Sequence, residues 1–205
     1  MKLTIIIRKL QKQDEPSIID ICFITGDELL KKILPDPYLF SLLWCLYYVW
    51  YEIENVFVAE NSKTKKIVGY ILNTFNTKQQ EADYKKKMSS HIKDKIKELK
   101  IKSPRTRITV SFILNRPTSR KRKKILEHYP AHLHINVLPD FQRQGIGHML
   151  MQALEAHLKE NNVKGYHLEV GTKNKQGINF YKKYNLELLH KNRLSHFFGK
   201  KIKQV

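Results

Sequence analysis

The chain has 205 residues, with 38 Lys or Arg against 19 Asp or Glu and a formal net charge of +19. That length fits one domain, or one domain with a sizeable insertion, and can bury a substantial core without a disulfide framework. The two cysteines, Cys22 and Cys45, each sit in an apolar stretch, which predicts buried free thiols, a reducing compartment and a cytoplasmic protein rather than a secreted scaffold.

From the N-terminus, the alternating run Lys2 to Arg8 predicts a first strand and lacks the apolar core of a signal peptide. Asp14-Glu15-Pro16 opens a helix over Ser17 to Thr25, which Thr25-Gly26-Asp27 ends. A second helix follows Asp36-Pro37 and runs to Glu52. Its apolar run, Tyr38 to Tyr51, has 14 residues, whereas a membrane span needs about 20; no membrane partner is expected. Val56 to Glu60 and Lys66 to Asn73 alternate around a polar turn and predict a hairpin.

Between Asn76 and His128 stand 17 Lys or Arg against five Asp or Glu, so the excess charge is concentrated in what reads as a basic insertion. Met88, Ile92, Ile96 and Leu99 fall at helical spacing on Tyr84 to Leu99, and that face needs apolar cover from the domain or from a second subunit, as in a homodimer. Ser103-Pro104 stops this helix, Ile108 to Leu114 suggests a short strand, and Thr118 to His128 a basic helix led by Arg120 to Lys124. The insertion lacks a recognisable nucleic-acid reading motif and interleaved aromatics, so nucleic-acid binding is expected to be at most weak and non-specific. From His132 the order is strand to Leu138, glycine loop, helix Gly147 to Asn161, strand Gly165 to Val170, helix Lys175 to Tyr184 and strand Leu186 to His190, which implies parallel pairing. Ser195 to Ile202 is expected to close the sheet as an edge strand. Metal ligands at zinc spacing are missing, and no metal is expected.

The stretch Val137-Leu138-Pro139-Asp140-Phe141-Gln142-Arg143-Gln144-Gly145-Ile146-Gly147 delivers a strand to a glycine turn and then to a helix N-terminus. Converging backbone N–H groups and the positive helix end make an anion cradle. It is neither of the two best-known phosphate loops, because no Gly-Lys-Ser/Thr and no third glycine with a spaced acidic residue occurs. It resembles the Gln/Arg-x-x-Gly-x-Gly/Ala signature of the GNAT superfamily of N-acetyltransferases. Asn174-x-x-Gly177-x-x-Phe180-Tyr181-x-x-Tyr184-Asn185-Leu186 resembles that family's second signature, with Gly177, Asn185 and Leu186 as departures. The two are tight over Ala131 to Leu189, and the topology of residues 1 to 75 is consistent. Within the superfamily, Ile21 to Asp27, Asp36-Pro37-Tyr38 and Tyr129 to His134 look most like bacterial proteins akin to the acetyltransferase-like domain of O-GlcNAc hydrolases.

The resemblance implies an α/β fold with a mixed sheet, one GNAT domain over residues 1–205 with an insertion at about 76–128, and strands four and five splayed to admit a pantetheine arm. It implies acetyl-coenzyme A as cofactor, held by Gln142, Arg143, Gln144, Gly145, Ile146, Gly147 and His148, by the backbone of Ile135, Asn136 and Val137, and by Asn174, Phe180 and Tyr181. Direct acetyl transfer to a primary amine needs a neutral amine and an acid for the leaving thiolate. Tyr181 occupies the family's acid position, and a phenol of pKa about 10 lies close to the thiol it protonates. His132 and His134 share a strand face and are candidate bases, the alternative being two structural histidines; Glu169 is a further candidate. Asp27, Tyr47 and Tyr51 are expected at the acceptor pocket. Two other readings stand beside this one: a non-catalytic module that binds the cofactor, and a protein acetyltransferase recruited to nucleic-acid-associated targets.

Overall fold

The computed structural model describes residues 4–115 and 119–203. Its strands are β1 (Ile5–Lys9), β2 (Phe57–Asn61), β3 (Ile67–Thr74), β4 (Ala131–Val137), β5 (Gly165–Gly171), β6 (Glu187–Lys191) and β7 (Ser195–Lys201). They form a sheet in the order β1-β2-β3-β4-β5-β7-β6, a mixed sheet of the expected α/β class. Neighbours run antiparallel except β4 and β5, which pair in parallel at two positions, Ala131 with Tyr166 and His132 with His167. The alternation after residue 131 therefore does not give a run of parallel strands. β7 enters between β5 and β6, so β6 is the edge and the expected closing strand lies inside.

The helices are α1 (Glu15–Ile24), α2 (Glu28–Ile33), α3 (Pro37–Trp44), α4 (Leu46–Tyr51), α5 (Thr77–Glu98), α6 (Pro104–Leu114), α7 (Arg120–His128), α8 (Ile146–Glu160) and α9 (Lys175–Lys183). One sheet face carries a core that includes Ile18 and Ile21 of α1, Leu39 and Leu42 of α3, Tyr48 of α4 and Tyr70 of β3. The other is covered by α8, whose Leu150, Met151, Leu154 and Leu158 recur at helical spacing and are fully buried. Each such side chain contributes about 1.5–3 kcal/mol relative to exposure. No helix among the described residues is long and apolar enough to cross a membrane.

Several local expectations are corrected. The helix read from Asp36 to Glu52 is two, α3 and α4, because Cys45 leaves helical geometry at φ −124° and ψ −44°. Asp27 starts a helix instead of only ending one, since its side chain accepts from Leu29 N and Leu30 N and caps α2. Ile108 to Leu114 is helical: Ser103 accepts from Thr106 N with Pro104 in the first turn, so the pair read as a stop is a start as well. Residues 1–3 of the first strand and Thr118 of the basic helix lie outside the described residues.

The expected insertion forms α5, α6 and α7. Met88 and Ile92 of α5 are buried in the first core, with Ile96 and Leu99 packed on it, so that face is covered within the chain. On α7, Ile125 and Leu126 are buried and Arg122 pairs with Glu81 of α5 at 2.5 Å. Arg120, Lys121, Lys123 and Lys124 stay exposed.

The cysteines are not free. Cys22 of α1 and Cys45 between α3 and α4 form a disulfide, because packing of α1 on α3 lays the two apolar stretches side by side. With a sequence separation of 23, chain-entropy arguments give about 3 kcal/mol of stabilisation, or on the order of 10 °C in Tm. The native protein is expected to show no reactive thiol in denaturant, and reduction to expose two and lower Tm by that amount. Two thiols before reduction, or an unchanged Tm after it, would contradict the bridge.

Candidate active site

β4 stays paired with β3 as far as Val137, but leaves β5 after His132. Leu133 to Asn136 and Leu168 to Gly171 thus face each other across an opening, as a splay of the fourth and fifth strands requires. A cavity of about 230 Å³ fills it. Gly26, Asp27 and Leu30 close one side, with Phe40, Trp44, the Cys22–Cys45 bridge and Tyr70; Asn174 and Tyr181 of the α9 segment close another.

Beyond β4 the chain turns into α8. Arg143 (φ 60°) and Gly145 (φ 81°) are both left-handed, and the helix cap, Gly145, has no side chain to satisfy the first-turn N–H groups. A Cβ built on Gly145 meets nothing within 4 Å, so the cradle opens outward from an uncapped helix N-terminus, which suits a pyrophosphate. Gly147 serves packing instead: its Cβ would stand 3.2 Å from the ring of Phe180. The Gln142 side chain is spent as a brace, donating to Val137 O (2.8 Å) and accepting from Gln176 Nε2 (2.8 Å). Gln144 is likewise tied to Asp140 O at 3.0 Å. His148 is exposed on the first turn of α8, its ring 5.0 Å from that of Tyr184. Asn174 caps α9, accepting from Gly177 N at 2.8 Å, and still lines the cavity.

The two histidines of β4 part company. His134 lines the cavity, and loss of water around its ring holds it at about 4, Glu169 opposing the fall and His167 adding to it. It is therefore neutral at pH 7 and, held this low, a weak base there. His132 does not line the cavity. The Thr77 hydroxyl donates to Pro130 O (2.7 Å), so His132 Nδ1 donates to Thr77 Oγ1 (2.9 Å), leaving Nε2 to accept from the Tyr48 hydroxyl. Both ring nitrogens are occupied, and Tyr48 in turn packs its edge on His134, ring centroids 5.6 Å apart. His167 of β5, hydrogen-bonded through Nδ1 to Tyr129 O (2.8 Å), completes a cluster whose rings lie 5.6 and 5.8 Å apart.

Burial depresses all three histidines, His134 and His167 to about 4 and His132 well below its ordinary value. A depressed folded-state pKa means that the unfolded chain binds more protons between that value and about 6.5. Their contribution to stability is fully present above pH 6.5 and is lost as pH falls toward 4. Tm is expected to drop steeply across that window, and His167→Gln to flatten the drop. A Tm independent of pH between 6.5 and 4 would refute this.

Tyr181 is buried, lines the cavity, and packs on Phe180 and Phe198 with centroids 5.3 and 5.8 Å away. Burial pushes its phenol up, so it stays protonated at neutral pH. Asp27, also at the cavity, keeps its capping role. Tyr47 and Tyr51 are not at the cavity; they stack on each other, and Tyr47 on Tyr84 of α5, because the break at Cys45 turns α4 away. Tyr70, Phe40 and Trp44 were not singled out by sequence, where nothing separates them from core aromatics. Tyr70 is fixed by Asn136 Nδ2 at 3.0 Å and contacts Cys45 Sγ at 3.2 Å. Among the described residues no cluster of His, Cys, Asp or Glu is arranged to hold a metal ion.

The chain belongs to the acetyltransferase (GNAT) family, whose model matches residues 27–185. Its structure is similar to the crystal structure of SsHAT, with 27% identity and a TM-score of 0.82 over 98% of this chain and 100% of that one. The PaiA N-acetyltransferase from Thermoplasma acidophilum, solved in complex with coenzyme A, shares 14% identity and a TM-score of 0.59 over 97% and 99% of the two chains. The ribosomal-protein-S18-alanine N-acetyltransferase from Escherichia coli shares 15% and 0.54 over 98% and 96%. The last two are likenesses of fold alone.

Proposed function

We propose that this protein transfers the acetyl group of acetyl-coenzyme A directly to a primary amine. The observation that carries the reading is the cavity at the β4–β5 opening, which His134 and Tyr181 both line, together with the uncapped N-terminus of α8 that follows β4. The cofactor supplies the activated acetyl group when bound; the loop Gln142 to Gly147 holds its phosphates and the edge of β4 its pantetheine arm. His134, neutral at pH 7, is the candidate base beside the incoming amine, and Glu169 beside it favours its protonated form. Tyr181, kept protonated by burial, donates to the departing sulfur. His132 holds Tyr48 against His134 and touches no reactant.

Kinship to the acetyltransferase-like domains of O-GlcNAc hydrolases belongs to the same proposal. The stretches that suggest it include Asp27 and His134, both cavity residues. The test is acceptor-dependent release of free thiol from acetyl-coenzyme A over a panel of amines, peptides and amino sugars. Cofactor binding without release from any of them would leave a binding module instead.

The exposed cations of α7 are read as a solvated face. Changing Arg120, Lys121, Lys123 and Lys124 to Ser, with Arg122 kept for its pair with Glu81, is expected to shift stability by less than about 0.5 kcal/mol. It should leave small-amine turnover unchanged and remove a DNA affinity that salt already weakens. Tight DNA binding at physiological salt, lost in this variant, would favour a nucleic-acid-associated target.

A further inference from the structure

Two residues that line the cavity, Cys22 and Cys45, are joined to each other, and no step of acetyl transfer uses them. Each is only 2% exposed, so a thiol reaches the bridge through the cavity rather than from the outer surface. Acetyl transfer liberates a thiol in that same cavity, which Tyr181 also lines, and a sulfur within about 230 Å³ lies close to the walls. The product of the reaction is thus a nucleophile delivered to a disulfide.

The two sulfurs differ as leaving groups. Cys45 Sγ has the Tyr70 hydroxyl 3.2 Å away. A bridged cysteine carries no proton, and Asn136 Nδ2 donates to Tyr70 Oη at 3.0 Å, so the Tyr70 O–H is the donor toward Cys45 Sγ. Burial pushes that phenol up, which keeps its proton in place. Such a hydrogen bond strengthens as negative charge develops on Cys45. Cys22 stands in the last turn of α1, whose negative end opposes a thiolate there.

We infer that the Cys22–Cys45 bridge is a site of covalent modification by coenzyme A, captured as a mixed disulfide on Cys22 with Cys45 as the leaving sulfur. The inference rests on the cofactor site of the transferase reading. The thiol gives its proton to solvent and the thiolate bonds to Cys22 Sγ; the Cys22–Cys45 bond breaks, its electron pair going to Cys45, which takes up a proton. The incoming sulfur is oxidised and the Cys45 sulfur reduced, so no further oxidant or reductant is consumed. Attack by Cys45 on the new bond restores the bridge, and the hold of the Gln142 to Gly147 loop on the phosphates opposes that return. While the mixed disulfide lasts, the cavity is filled and acetyl transfer stops.

The test incubates the oxidised protein with coenzyme A or with pantetheine, which has the same thiol without the phosphates. Samples are acid-quenched, unfolded, alkylated with N-ethylmaleimide and read by mass spectrometry without reductant. One coenzyme A on Cys22 and one alkylated thiol on Cys45 are expected, with labelling by pantetheine slower by about tenfold or more. Tyr70→Phe, checked for folding by thermal melts, is expected to slow labelling by about threefold or more. Calorimetry with acetyl-coenzyme A, whose sulfur is blocked, measures non-covalent binding separately. If acetyl-coenzyme A binds, then no adduct, an adduct on Cys45, equal labelling by pantetheine, or an unchanged rate in folded Tyr70→Phe would overturn the inference and leave the transferase reading standing. No binding of acetyl-coenzyme A would overturn both.

Discussion

Gly145→Glu is expected to fold and to lose affinity for acetyl-coenzyme A by more than about 100-fold. Gly145 sits at φ 81°, and a non-glycine residue there costs about 1–2 kcal/mol. That strain is small beside the burial of Leu150, Met151, Leu154 and Leu158 that anchors α8. The new Cβ meets nothing within 4 Å, so no clash expels the loop from its place. The carboxylate would project where the cradle opens and satisfy or repel at the same helix N-terminus that attracts an anion. Gly145→Ala separates the two effects, since it carries the strain without the charge and is expected to lose far less affinity. Isothermal calorimetry checks both variants, with thermal melts to verify folding. Wild-type affinity in a folded Gly145→Glu protein would place the pyrophosphate elsewhere.

That prediction was legible in the sequence because the loop before α8, the proposed cofactor cradle, is a local object. Strand, left-handed glycine and helix start are set by neighbours a few residues apart, and so is the Asn174 cap of α9. The acceptor side was not legible in the same way. Cys22 and Cys45 lie 23 residues apart, and only the packing of α1 on α3 brings their sulfurs together. The break at Cys45 then turns Tyr47 and Tyr51 toward α5 while leaving Trp44 and Cys45 at the cavity. Periodicity alone reads Tyr38 to Tyr51 as one continuous helix, and it is the break at Cys45 that keeps Tyr47 and Tyr51 out of the lining of this cavity. His132 and His134 show the same limit. Period-two alternation puts both on one face, but only the point at which β4 leaves β5 decides that His134 meets the cavity while His132 is taken up by Thr77 and Tyr48. Ser103-Pro104 misleads for a different reason: α5 already ends at Glu98, and the dipeptide is a helix start, with Ser103 capping α6 through Thr106 N and Pro104 in its first turn.

Tyr181→Phe is expected to lower kcat by about 10²–10³ while the KM for acetyl-coenzyme A stays within about threefold. The phenyl ring keeps its contacts with Phe180 and Phe198, so packing of α9 on β7 survives and only a hydroxyl is lost. Because burial raises the phenol, its proton is present throughout the neutral and mildly alkaline range. The wild-type rate should therefore show no alkaline fall below about pH 10 that belongs to this residue. His134, held at about 4, is already neutral above pH 6, so its titration should limit the rate only on the acid side. A donor lost from the step in which sulfur departs slows that step without weakening ground-state binding, and pre-steady-state thiol release shows whether chemistry limits turnover. If chemistry is limiting and Tyr181→Phe still turns over at the wild-type rate, the proton reaches the thiolate from water or another group, and Tyr181 is a packing residue of the cavity wall.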